Sequence, residues 1–156
     1  LRPTPDRVRE TLFNWLGQDL EGWNCLDPFA GSGALGFEAA SRGAARVTLI
    51  EQNAQAFAAL KQNAALLGSE ALHCVRGDAL RFLAKCGERF DLILLDPPFR
   101  MDWLPKLEKE LPRLLAEGGS IYVEAEHELA DFAGLKPVRT GKAGQVHYHL
   151  FRGDSK

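Results

Sequence analysis

Short extended apolar runs alternate with helical segments through the first 126 of the 156 residues, and this alternation restricts the fold more than any other feature. Thr4 followed by Pro5 supplies a helix cap and a first helical residue. Val8, Leu12, Trp15 and Leu16 then share one face, which predicts a leading helix over 5–17. Strands are expected at 24–29, 46–51, 71–77, 90–96 and 120–126. Helices are expected between them at 33–43, 53–67, 79–85 and 103–119, with Pro112 kinking or splitting the last. Two further extended runs, 136–140 and 144–152, read as a terminal antiparallel hairpin. The pattern predicts an α/β fold: a mostly parallel, doubly wound sheet of seven strands with helices on both faces. At 46% hydrophobic residues, 156 residues suffice for one core, so residues 1–156 are expected to form a single domain. No apolar run reaches the roughly 18 to 20 residues that cross a bilayer, and no charged-then-apolar leader opens the chain, so a soluble cytoplasmic protein is expected.

In sheets of this kind ligands bind beyond the carboxyl ends of the strands, where the winding reverses. Strand one ends in DPFAGSGALG (27–36), strand two in Glu51, strand three in Gly77-Asp78, and strand four in Asp96-Pro97-Pro98-Phe99. Any one of these acids alone is as readily a solvated turn or a helix cap. Four successive strands sending a carboxylate to the same edge point to a site. Gly31, Gly33 and Gly36 satisfy GxGxxG, and Glu51 follows Gly31 by twenty positions, which also fits a dinucleotide-binding fingerprint. In either case the glycines admit a ligand close to the backbone and the acid accepts hydrogen bonds from ribose hydroxyls. Asp27 and Asp96 favour a cationic cofactor, S-adenosylmethionine, because a pyrophosphate would be repelled by them. Asp78 is placed to reach the adenine end.

Together DPFAGSGALG, Glu51, Gly77-Asp78-Ala79 and DPPF resemble the class I S-adenosylmethionine-dependent methyltransferases that act on exocyclic amines. The DPPF element is similar to a signature of Asp, Asn or Ser, then two prolines, then Tyr, Phe or Trp. An exocyclic amine is a poor nucleophile because its lone pair is delocalised into the ring. Acceptors at Asp96 and the Pro97 carbonyl would hold its protons, the two prolines would stiffen the backbone and remove competing N–H donors, and Phe99 would stack a flipped base. A wider resemblance spans nearly the whole chain. RPTPDRVRETLFNWL, CLDPFAGSGALGFEAASRGA, LDPPF, IYVE and GQVHYHLF resemble the RsmD family of bacterial 16S ribosomal RNA guanine-N2 methyltransferases. Members usually begin with a basic hairpin ahead of the RPT element; no such hairpin precedes it in the sequence given, which would explain the modest net charge of −2.

The resemblance implies that Asp27, Phe29, Gly31, Gly33, Glu51, Asp78 and Ala79 contact the cofactor, while Asp96, Pro97, Pro98 and Phe99 hold the target guanine. Arg2, Thr4, Arg100 and Lys142 are the implied RNA contacts, with Arg7, Arg9 and Arg152 as further candidates. It implies direct in-line attack by guanine N2 on the cofactor methyl, on 16S ribosomal RNA within the small subunit or an assembly intermediate, by a monomer. His147 and His149 share one side of a strand, but no third ligand accompanies them and no metal is expected. Cys25, Cys74 and Cys86 form no CxxC pair and read as reduced, mainly packing residues. Two other readings stay open: an adenine-N6 methyltransferase of DNA or RNA with the same DPPF chemistry, and an NAD-dependent oxidoreductase built on the glycine loop.

Overall fold

A computed structural model of the chain describes residues 5–98 and 103–153; Arg2, Thr4, Phe99 and Arg100 lie outside the described residues. The helices are α1 (Asp6–Leu16), α2 (Ala34–Ser41), α3 (Ala54–Leu67), α4 (Ala79–Lys85) and α5 (Leu104–Leu114). The strands are β1 (Asn24–Asp27), β2 (Arg46–Glu51), β3 (Leu72–Arg76), β4 (Phe90–Leu95), β5 (Leu115–Ala125), β6 (Pro137–Ala143) and β7 (Val146–Arg152). They form one seven-stranded sheet in the order β3-β2-β1-β4-β5-β7-β6. β1 to β5 run parallel, and β7 is antiparallel to both β5 and β6. The chain winds outward from β1 to β3 and then returns to β4 on the other side of β1. The change of direction therefore falls between β1 and β4, where a crevice must open at the carboxyl edge.

Both faces of the sheet are covered, which explains the unbroken apolar run of β4. Leu92 and Leu94 face a layer with Leu12 and Phe13 of α1, Leu35 of α2 and Leu60 of α3. Ile93 and Leu95 face the opposite layer, with Leu83 of α4 and Leu107, Leu111 and Leu114 of α5. The terminal hairpin turns through Gly144 and Gln145, with Gly144 at φ +61°, a conformation that suits glycine in a two-residue turn.

Two local expectations change. The fifth helix does not reach 119; it stops at Leu114 and β5 begins at once. Pro112 sits in the last turn, where its missing N–H removes a bond to Glu108 without breaking the helix. Leu115 then pairs with Phe90, and its carbonyl accepts from Arg89 Nη1 at 3.1 Å. The next pairing joins Leu92 to Ser120, so the intervening residues of β5 loop out as a bulge, with Gly118 at φ +72°. At the other end of the chain, α1 opens at Asp6 with Pro5 as its cap residue, one position later than expected.

Candidate active site

The turn after β1 is held by the end of β2. Ala30 N–H donates to the Ile50 carbonyl at 2.9 Å, and Gly31 N–H donates to Glu51 Oε1 at 3.0 Å. Asn53 N–H donates to Glu51 Oε2 at 2.9 Å. Glu51 thus stitches the glycine turn to its own strand end, and each oxygen keeps a lone pair for a further donor. Gly33 lies at φ +88°, and a Cβ there would meet Phe37 Cζ at 2.5 Å and Leu60 Cδ1 at 2.7 Å. Its lack of a side chain lets α2 start hard against α3.

Asp27, the last residue of β1, is only 2% exposed. Burial pushes its carboxyl up to about 7; a hydrogen bond from the Gly36 backbone opposes this, and the charges of Glu51 and Glu124 reinforce it. Near neutral pH Asp27 is therefore a partly protonated buried group rather than a bare anion. Glu124 is a fifth acid of this sheet edge that the sequence reading missed. It is 2% exposed, and Tyr122 Oη donates to its Oε2 at 2.7 Å. The signal was present in IYVE, since period two puts Tyr122 and Glu124 on one face and Ile121 and Val123 on the other.

Asp78 caps α4, its Oδ2 accepting from Arg81 N–H at 2.9 Å, so the plain helix-cap role is realised with one carboxylate oxygen. Between these strand ends lies a cavity lined by Pro28, Phe29, Ile50, Glu51, Gln52, Gly77, Ala79, Asp96, Pro98 and Trp103. Phe29, Glu51, Ala79, Asp96 and Pro98 were named from the sequence and are brought together here. Asp27, Gly31, Gly33, Asp78 and Pro97 are not part of this lining; Pro97 is buried and Pro98 exposed. Trp103 was not foreseen, because it follows the DPPF element and reads as the first apolar residue of a helix. A larger cleft opens at the other edge of the sheet beside Arg89, Leu115, Glu117 and Leu135. No strand-end acid of the carboxyl edge lines it.

The cationic candidates separate by position. Lys142 is exposed and pairs with His147, which in turn pairs with Ala125 at the carboxyl end of β5, so it stands on the cavity's edge of the sheet. Arg152 pairs with Ser120, toward the opposite edge. Arg9 is tied to Asp6 at 3.1 Å and to Glu38 at 3.4 Å, a link between α1 and α2. His149 is fully buried: Nε2 accepts from Leu129 N–H at 2.9 Å, and Nδ1 lies 3.1 Å from the Val123 carbonyl, to which it donates as Nδ1–H. Both ring nitrogens are committed to backbone, and burial holds its pKa below the usual value. Cys25 is buried, and its thiol is pushed up to about 12 by burial and by Asp91 and Asp27, which removes it as a nucleophile at neutral pH.

A protein-family model described as "Conserved hypothetical protein 95" matches residues 1–152. Ribosomal RNA small subunit methyltransferase D of Escherichia coli (strain K12) is 43% identical over 165 residues, covering 100% of this chain and 81% of that protein. The protein of the same name from Haemophilus influenzae is 42% identical, covering 97% of this chain and 83% of its own length. The solved structure of Escherichia coli yhhF matches with a TM-score of 0.87 at 43% identity, over 100% of this chain and 89% of that one.

Proposed function

Because the chain belongs to the family that contains ribosomal RNA small subunit methyltransferase D, we propose that it transfers a methyl group from S-adenosylmethionine to N2 of one guanine in 16S ribosomal RNA. The observation that carries this reading is the cavity at the switch between β1 and β4, where Asp96 and Pro98 meet the Glu51 and Ala79 end of the same space. In this reading residues 1–156 act as one cytoplasmic methyltransferase domain and as a monomer. Among the described residues, no helix is long and apolar enough to cross a membrane.

The residues present fit an adenosine-type cofactor with a cationic tail. Ile50, Ala79 and Phe29 give the cavity apolar walls, while Glu51 and Asp96 place carboxylates on it; a pyrophosphate would meet those charges directly. Glu51 takes the ribose hydroxyls with its remaining lone pairs, and Gly31 and Gly33 keep side chains out of the turn. Asp78 offers the adenine amine the oxygen that the helix cap leaves, and Asp27 faces the methionine portion. When bound, S-adenosylmethionine supplies an activated methyl group.

Asp96 and the Pro97 carbonyl accept the two protons of the target amine, orienting its lone pair away from the ring plane. Neither Pro97 nor Pro98 has an N–H to compete for these acceptors. Phe99 stacks the flipped base, and Arg2, Thr4 and Arg100 contact the surrounding RNA. After transfer the methylated exocyclic nitrogen is a strongly acidic ammonium, and Asp96 or water takes its proton. Orientation and electrostatic preorganisation supply the rate, with no covalent intermediate on the protein. Neighbouring strands are about 4.8 Å apart, so the hairpin carrying Lys142 lies roughly 14 Å to the side of β4, within reach of a phosphate near the target nucleotide.

The test is to map labelled methyl groups transferred by the purified protein to unmodified small-subunit RNA, both naked and in assembled particles. Incorporation at one guanine N2 is expected. Incorporation at adenine N6, or into neither substrate, contradicts the reading.

A further inference from the structure

Trp103 stands immediately before α5, on the wall of the cavity that also carries Glu51, Ala79 and Asp96. Its indole is half-buried and meets the Phe29 ring edge to face, with centroids 5.1 Å apart and planes at 71°. Its Nε1–H is buried and has no acceptor among the described residues. Two other buried side-chain atoms share that condition, Asn24 Oδ1 and Thr48 Oγ1. Neither Asn24 nor Thr48 lines the cavity; Asn24 opens β1 at the far edge and Thr48 lies within β2. A desolvated N–H without a partner is unfavourable, and tryptophan is usually found buried where that group is satisfied. Packing alone would be served as well by leucine or phenylalanine at this position. An indole here, at the cavity and with its donor unmet, is accounted for by an acceptor that arrives with a ligand.

Resting on the reading that this cavity takes S-adenosylmethionine, we propose that Trp103 is a further cofactor-binding residue. Its ring forms the wall against the adenosine portion opposite Glu51. On binding, the indole turns to uncover its Nε1–H, which donates to a purine nitrogen or ribose oxygen of the bound molecule, with the Phe29 ring packed against it. The N–H, unpaired in the free protein, gains its partner on binding, so the bond contributes directly to affinity.

S-adenosylhomocysteine is the probe, titrated by calorimetry and by tryptophan emission into the parent protein and into Trp103→Phe, which keeps an aromatic wall and removes the donor. The parent should bind with a change in emission. The variant should keep its melting temperature without ligand, bind about tenfold more weakly, and lose the emission change, since Trp15 and Trp23 remain and lie away from the cavity. Equal affinity in the two proteins overturns the inference while leaving the cofactor assignment standing. No binding to the parent overturns both. Should Trp103→Phe fail to fold, acrylamide quenching of the parent decides: shielding of one tryptophan by S-adenosylhomocysteine is expected, and unchanged quenching refutes the role.

Discussion

Replacing Asp27 by Asn should make the protein more stable, and increasingly so as the pH is raised. Asp27 is buried at the end of β1, and its carboxyl is pushed from 3.8 to about 7 by burial and, more weakly, by Glu51 and Glu124. Between those two values the folded protein holds a proton that the unfolded chain has released, so stability must fall as the pH rises through this window and level off above it. At about 1.4 kcal/mol per pKa unit the full penalty is about 4 kcal/mol above pH 8, of which somewhat less than half is already present at pH 5. Asn keeps an oxygen for the Gly36 N–H and cannot ionise. Denaturant unfolding of both proteins from pH 5 to pH 9 should show the variant gaining on the parent by about 2–3 kcal/mol between pH 5 and pH 8, and by little beyond. A difference that does not change with pH would mean that Asp27 is not held protonated by its surroundings, and the description of the β1 end would fail.

Glu51→Ala should release the Gly31 and Asn53 N–H groups, lowering stability by about 1–3 kcal/mol and weakening S-adenosylhomocysteine binding in calorimetry; unchanged affinity would reduce Glu51 to a scaffold for the turn. Gly36→Ala should destabilise by about 1–3 kcal/mol in thermal or urea unfolding, because its Cβ would stand 2.5 Å from Leu49 Cδ2 and 3.2 Å from Asp27 Oδ2. A neutral result would show that α2 can shift away from the sheet without cost.

The parallel part of the sheet was legible in the sequence because each strand carries its own signal. LILL is apolar throughout since Leu92 and Leu94 face one helical layer and Ile93 and Leu95 the other. Glycines at 33 and 36, and acids at 27, 51, 78 and 96, mark strand ends through constraints that act within a few residues. What escaped the sequence depends on distant partners. LLAEGG reads as helix until Leu115 finds Phe90 and Arg89, a pairing no local pattern announces. Arg9 and Arg152 look like candidates for RNA until Glu38 claims the first and the register with Ser120 carries the second to the opposite edge. Glu124 and Trp103 were passed over because a single acid in an apolar strand and an aromatic opening a helix have ordinary explanations until burial and cavity walls are known.

The most direct test of the account is the single-turnover rate of methyl transfer to small-subunit ribosomal RNA by Asp96→Ala, with S-adenosylhomocysteine affinity measured on the same preparation. Asp96 acts on the amine as charge develops there, so its loss should fall on the transition state. The rate should drop by about 10²- to 10³-fold while cofactor affinity stays close to that of the parent. Transfer at the parent rate would contradict the account, leaving the prolines after β4 as nothing more than a structural stop.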